Sequence, residues 1–334
     1  MPSRSNAIHT DTRLTNYAVG FAADNLNWVD AAFPTLTVQK QSDKFAVFGT
    51  ETFRLREDKI GPRTDPWPEI DWEESNDTFY CQDHGLSHFV PDGQEAEYRA
   101  REERRGIRLV SNVIRRNMAS ALAAFVTDSA NVTNAASGVN FTTTTLNIQD
   151  YFLGQANAIR IASGILPDTV IMGFDCAQAI LANTVTRTQL QYWTNANLTG
   201  ADLLTQLQNR VSAYLGLNCF IPTALYATSE EVSNEAATPA TLADTWPAAT
   251  FVLYYRGSAA GTNAAGAAMI EEGDPTAFTR FAFNGADGAL AGIGGFRVRS
   301  DMAGHGGWHV RASYWYDFKT TFDNAALLGT GALS

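Results

Sequence analysis

FPTLTVQKQSDKFAVF, from Phe33 to Phe48, is the stretch that decides the fold. Leu36 and Val38, then Phe45, Val47 and Phe48, fall at mostly alternating positions, the period of an extended chain with two unlike faces. Lys40, Asp43 and Lys44 break the run, and Phe53 and Arg54 carry the extended pattern on to Arg56. Pro62, Pro66 and Pro68 punctuate the next stretch, and a second short strand is predicted at Thr78–Cys81. Two strands joined by a loop tip make a ribbon, and a lone ribbon is at best marginal in water. This one must therefore rest on something else.

Downstream, Asp92 and Glu95 give a capping-box-like helix start, and no further proline appears until Pro167. Helix formers dominate from Gln94 to Val126, enough for a rod of about 50 Å at 1.5 Å per residue. Its first half sets Arg99, Arg101, Arg104, Arg105 and Arg108 against Glu95, Glu97, Glu102 and Glu103, so it reads as a charge-paired, solvated face. In the second half Ile107, Val110, Ile114, Met118, Leu122 and Phe125 step by three and four, which marks one buried stripe. Gly106 lies between the halves and is less favourable than alanine by about 1 kcal/mol, so a bend is expected there.

The rest alternates strands and helices. Thr127 to Thr145 is Ser/Thr/Asn/Ala-rich and reads as a loop. A helix is predicted over Ile148–Ser163, a buried strand at Thr169–Met172, and a helix capped by Asp175 and running to Ala182. Asp202–Leu215 is a further amphipathic helix, followed by a strand at Cys219–Ile221. That order suggests a small sheet covered by helices. The polar stretch from Ala227 to Thr245 is a surface excursion, and Gly257–Ala268 a Gly/Ala loop. Strands are expected at Thr250–Tyr255, Phe278–Phe283 and Phe296–Arg299, with Gly285–Gly295 as a hinge. Trp308, Val310, Ala312, Tyr314, Tyr316 and Phe318 share one face at period two, as a long half-buried strand requires, and this strand is expected beside the long helix. From Ala325 the tail is small and apolar.

Composition narrows the function. The 334 residues are 45% hydrophobic, enough for a sizeable core. A net charge of −11 argues against a nucleic-acid reader, which carries a basic stripe. Cys81, Cys176 and Cys219 are too few and scattered for a disulfide framework, so reduced thiols are expected. Met1 to Asn16 has no apolar stretch, and no run approaches the roughly 18 apolar residues of a spanning helix, so neither a signal peptide nor a membrane association is expected. Lysine occurs only at 40, 44, 59 and 319, while arginine, the better interface cation, is plentiful.

The candidate chemical motifs are weak. Cys81, His84 and His88 are spaced like part of a zinc site that His305 and His309 would complete, but zinc needs four well-placed donors. Exposed histidines in two unrelated turns are the simpler alternative. Cys176 follows a strand and opens a helix, where a thiolate is stabilised, yet Asp175 opposes that and no histidine occurs between 89 and 304. Gly285–Gly295 lacks the G-K-[ST] of a phosphate loop. The pairs Glu73-Glu74, Glu230-Glu231 and Glu271-Glu272 point in divergent directions and read as solvated. No catalytic residue, metal or cofactor is expected.

The opening stretch resembles the arm-to-loop junction of a family of tailed-bacteriophage major capsid proteins, in which F-P-x-x-x-V-x-K-Q-S-x-K-[FY]-x-V-F recurs. The order of parts is similar over about residues 15 to 325. The resemblance implies an α+β chain with the Hong Kong 97-type phage capsid fold. It would comprise an N-terminal arm (1–43), an extended β-ribbon loop (44–82), a peripheral domain with the spine helix (83–147), an α/β axial (apical) domain (148–295), and closing strands ending S-Y-W-Y-D-F-K-T-T with the tail (296–334). The stretch from Glu231 to Ala268 departs from the pattern as an insertion. The implied function is a structural subunit of an icosahedral shell, assembled as pentamers and hexamers around double-stranded DNA. Scaffolding, portal and decoration proteins would be further partners, and the DNA would be contacted non-specifically by an acidic lining. Phe45, Phe48, Phe53, Arg54, Arg56, Arg101 and Arg105 are the expected inter-subunit contacts. Some members link a loop lysine to a neighbour's asparagine. Lys44 and Lys59 lie in that region without a recognisable partner, so no crosslink is expected. The rival readings are an encapsulin-type compartment shell, and a thiol or zinc enzyme using Cys81, His84, His88 or Cys176.

Overall fold

The computed structural model describes residues 26, 28–47, 49–50, 55, 75–91, 96–137, 139–193, 203–228, 241–257, 261–262, 268–269, 276–283, 296–303 and 306–333. The chain enters through a short helix, α1 (Trp28–Ala32), and strand β1 (Thr35–Val38), then the ribbon strands β2 (Ser42–Val47) and β3 (Ser75–Tyr80) and the longer β4 (Gln82–Pro91). The spine helix α2 (Ala96–Val126) follows, 31 residues without a break. Next come β5 (Ala135–Ser137), α3 (Ile148–Ser163), β6 (Thr169–Met172), α4 (Phe174–Ala182), α5 (Thr184–Trp193), α6 (Leu203–Leu215) and β7 (Asn218–Phe220). A small hairpin, β8 (Leu225–Ala227) and β9 (Leu242–Asp244), precedes β10 (Phe251–Tyr254), β11 (Gly261–Thr262), β12 (Ala268–Met269) and β13 (Phe278–Phe283). The chain closes with β14 (Phe296–Ala303), β15 (Gly307–Thr320) and β16 (Ala326–Thr330).

Two sheets organise these parts. The compact sheet runs β5-β16-β10-β6-β7. Every residue of β6 and β10 is buried, as in a strand covered on both faces. Val170, Met172, Phe251, Leu253 and Leu327 face a core completed by Phe152, Ile159, Ile180 and Val211 of the covering helices. Ile171, Val252, Tyr254 and Leu328 point the other way, into a second core shared with the spine helix. There Ile107, Val110, Ile114, Met118 and Leu122 form the buried stripe that their spacing predicts, with Phe125 partly buried at its end.

The long sheet runs β11-β12-β1-β13-β15-β14, with β4 on the other side of β15. Along β15, Val310, Ala312, Tyr314, Tyr316 and Phe318 are buried in the core that holds the spine. The intervening residues face away. Sheet membership cuts across the expected domain boundaries. Strand β13, placed by sequence in the apical segment 148–295, lies in the long sheet. Strand β16, placed in the peripheral segment 296–334, pairs antiparallel with β10 in the compact one. A small apolar tail fits between buried strands because it brings backbone partners with little bulk. Gly329 is required there, since a Cβ would collide with the Phe251 ring.

Local rules explain several boundaries. Asn147 Oδ1 accepts the Asp150 N–H to start α3, and Gly164, at φ 78°, ends it with an N–H to Arg160 O at 2.8 Å. Asp175 is not the cap of α4. Gly173 holds that position and Asp175 lies one residue inside, because the turn leaving β6 has Ala248 O pressed where a Cβ would sit. Gly106 does not interrupt the spine. It makes room for a neighbouring strand: a Cβ there would lie 2.5 Å from His88 Cδ2.

A buried polar knot fastens the arm. Arg280 of β13 is 1% exposed. Its Nη1 donates to Asp30 Oδ1 at 2.7 Å, its Nε to Thr35 Oγ1 at 2.9 Å, and its Nη2 to the same hydroxyl. The guanidinium also approaches Met118 Sδ at 3.8 Å and lies over the Tyr314 ring. Tyr254 Oη donates to Ala32 O at 2.6 Å, and Phe33 stacks on Tyr254. Thus α1 and β1, which pairs parallel with β13, are tied to both sheets and to the spine.

Candidate assembly surface

Strands β2 and β3 pair antiparallel over their whole length, Ser42 opposite Tyr80 through Val47 opposite Ser75. Each strand buries a single side chain, Phe45 in one and Phe79 in the other. Both rings rest on Phe281, at 5.1 and 4.4 Å between centroids, the latter parallel to within 4°. Leu36, Val38, Phe283 and Trp315 pack around them. Phe281, Phe283 and Trp315 lie on the sheet face opposite the spine, so the ribbon stands on that outer face. Hydrogen bonds complete the foot: Tyr80 N donates to Asp317 Oδ2 at 2.9 Å, and Gln41 Nε2 to Cys81 O at 3.2 Å. Above the foot the ribbon is exposed on both sides, a form that does not hold itself in water.

This geometry corrects one expectation. Phe45, expected to meet a neighbouring subunit, is 8% exposed and held inside its own subunit. The alternating pattern identifies it as buried but cannot say against what. Phe79, its partner in the foot, is not among the expected contacts, although its place in a predicted strand is the signal. Phe48, Phe53, Arg54 and Arg56 lie outside the described residues. Arg101 belongs to the spine, with only its backbone described. Arg105 is well exposed, and its Nη1 lies 3.7 Å from Glu102 Oε1 one turn away. A pair so open to water contributes little to stability and leaves the guanidinium accessible.

The cysteine and histidine candidates do not converge. Residues 84 to 88 are not loop-like; they lie within β4, paired with β15 from Tyr314 to Val310. Two histidines four residues apart in a strand are about 13 Å apart, beyond any shared metal. His84 stacks on Tyr316 and His88 packs at Gly106. Cys81 is buried, and its thiol donates to Phe281 O at 3.6 Å. Burial, then the negative charge of Asp317, pushes its pKa up to about 12. His309 lies against Phe89, while His305 is outside the described residues. Cys176 donates to Ala248 O at 3.0 Å, and burial together with Asp175 pushes it to about 12 as well. Burial alone does the same to Cys219. Such thiols stay protonated and unreactive at neutral pH. Among the described residues no cluster of three or more His, Cys, Asp or Glu is arranged to hold a metal, and no helix is long and apolar enough to cross a membrane.

The exposed surface instead carries groups suited to contact. Leu109 on the spine, Leu153 and Ile161 on α3, and Leu225 and Leu242 on the β8–β9 hairpin are all open to solvent. Strands β4 and β14 flank β15 and pair with nothing further among the described residues, so each presents a backbone edge.

No protein-family model and no curated protein sequence matches this chain. Solved structures do. A phage-related protein from Bordetella bronchiseptica is 16% identical and superposes over 98% of each chain with a TM-score of 0.66. The capsid of Cyanophage P-SCSP1u matches at 10% identity over 92% of this chain and 88% of that one, with a TM-score of 0.53. An encapsulin from Synechococcus elongatus matches at 10% identity, 93% and 88% coverage and a TM-score of 0.53. The chain has the Hong Kong 97-type capsid fold, with helix and sheet mixed as an α+β protein.

Proposed function

We propose that this chain is the major capsid protein of a tailed bacteriophage, a structural and non-enzymatic subunit that assembles into an icosahedral shell around double-stranded DNA. The observation that carries the reading is the anchored ribbon. A capsid fold spanning the whole chain holds out two strands that bury one side chain each and then leave the body. Such an element reaches its lowest free energy only against another copy, and copies related head to tail close into the rings from which a shell is built. Pentamers and hexamers are the expected rings and the virion the expected location, with the subunit made in the host cytoplasm. Scaffolding, portal and decoration proteins are the expected partners. The net charge of −11 suits a lining that accommodates DNA without gripping it.

The test is negative-stain imaging of the purified chain with analysis of its contents. Closed particles are expected, filled with DNA when produced during infection; a monomer at assembly-permissive concentration overturns the reading. An encapsulin-type compartment is the second reading, favoured by the match to a Synechococcus shell, and particles enclosing protein cargo would establish it. Deleting residues 50 to 75 is expected to leave a soluble subunit that forms no stable shells.

A further inference from the structure

The spine helix carries a second stripe beside the one that faces the core. Stepping by four from Arg104 gives Arg108, Asn112 and Arg116, one ridge along the helix. Arg104 and Arg108 are exposed, and toward the middle of the helix the ridge sinks until Arg116 is half-buried. On its core side Arg115 is 9% exposed and Ser111 fully buried. Three polar atoms of this short stretch, Ser111 Oγ, Asn112 Oδ1 and Arg116 Nε, are buried without a hydrogen-bond partner. Buried polar groups are ordinarily satisfied, so a cluster of exceptions on an arginine-bearing ridge calls for a partner that carries acceptors.

The sequence holds one segment of matching chemistry. TDPWPEIDWEESND, residues 64 to 77, contains Asp65, Glu69, Asp71, Glu73, Glu74 and Asp77 and no lysine or arginine. Glu69, Asp71 and Glu73 recur at every second residue. In an extended chain such carboxylates leave one face about 6.7 Å apart, and the ridge steps by about 6 Å per four residues. The two rows therefore stay in register over three contacts. The segment's own subunit is poorly placed to supply it, because the ribbon stands on the sheet face opposite the spine.

We propose that the Arg104–Arg108–Asn112–Arg116 ridge is the docking site for the acidic segment Glu69–Glu73 of a second copy, bound extended, with carboxylates paired to Arg108 and Arg116. This rests on the shell reading above and names the partner of its loop. Arginine suits the task because its planar fork takes a carboxylate bidentately.

Two triple variants decide it: an acid-reversed chain (Glu69→Lys, Asp71→Lys, Glu73→Lys) and a base-reversed chain (Arg104→Glu, Arg108→Glu, Arg116→Glu). Each alone is expected to assemble at least about tenfold less than wild type in low salt, where charge pairing is least screened. Mixed, they are expected to co-assemble, because each variant's loop matches the other's ridge; pairing within one chain would give no such rescue. Acid-reversed chains that assemble as wild type overturn the proposal. So does a mixture that recovers nothing while both variants keep wild-type circular dichroism. Should the base-reversed chain fail to fold, a synthetic peptide of residues 64–77 replaces it. Inhibition of wild-type assembly that weakens steeply with salt is expected, and no inhibition overturns the proposal. Wild-type protein that forms no shells defeats the shell reading itself. Wild-type shells with unaffected acid-reversed chains defeat only this site.

Discussion

The compact sheet and the ribbon foot are both built from aromatic and aliphatic side chains, yet they end in opposite states. In the compact sheet, Phe251 sits among Phe141, Phe152 and Tyr151 with no solvent on either face. In the foot, Phe45 and Phe79 close on Phe281, and every other residue of their strands reaches water to some degree. A region covered on both faces folds from its own contacts. One resting on a single ring cluster holds its base and leaves its reach to be stabilised by another molecule. The same polypeptide thus separates the part that supplies stability from the part that supplies assembly.

Truncation on the two sides should separate those roles. Phe251→Ala is expected to destabilise the subunit by about 3–5 kcal/mol in denaturant unfolding, since it empties a site walled by rings that cannot collapse into it. Phe79→Ala should lose less in global unfolding, about 1–3 kcal/mol, and should act mainly by freeing the ribbon. Proteolysis within 48–74 would then quicken and shell yield would fall. Equal global losses at both positions would break the distinction.

The arm's fastening is next in size. Asp30→Ala leaves Arg280 buried without its carboxylate, and removing one partner of a buried pair is costly. Because Asp30 remains partly exposed, about 3 kcal/mol is expected in the same assay. Replacing Asp30 and Arg280 together by apolar residues should recover much of that loss, which a simple packing defect would not.

Regular, local patterns are legible in the sequence and pairings across long separations are not. Helix α3 and strand β6 begin and end where periodicity and capping place them, and the face of β15 follows its alternation from Val310 to Phe318. Helix α5 escapes such reading because TVTRTQLQYW is rich in β-branched residues and has no apolar period. It is started by Asn183, whose Oδ1 accepts the Val185 and Thr186 N–H groups. Asp30 and Arg280 are 250 positions apart, and no one-dimensional signal joins them. Likewise the foot's Phe45 reads as an inter-subunit contact because alternation reveals burial but not the burying partner. On the assembly surface the spine's charged half is legible, whereas the unsatisfied atoms at 111, 112 and 116 become visible only once the helix is packed.

Titration offers a smaller test that acts on both regions. Cys81 in the foot, and Cys176 and Cys219 in the compact region, have pKa values raised from 9.0 to about 12, chiefly by burial. Folding therefore favours their neutral form. That contribution is complete below pH 9 and is lost as pH rises from 9 toward 12, because the unfolded chain ionises first. Unfolding free energy should hold level from neutrality to about pH 9 and decline beyond it. Cys81→Ala should flatten part of that decline.

The finest test concerns Gly106, where the spine meets β4. Alanine would favour the helix by about 1 kcal/mol, but its Cβ would press on the His88 ring. The two effects should nearly cancel in Gly106→Ala, which is expected to change stability by less than about 1 kcal/mol. In a His88→Ala background the clash is gone, and the same substitution should stabilise by close to its full helical preference. A coupling of that sign in the double-mutant cycle would establish that the glycine serves the contact between helix and sheet. Stabilisation by Gly106→Ala with His88 still present would mean that the ring yields freely and that the spine's docking on β4 is looser than its packing elsewhere.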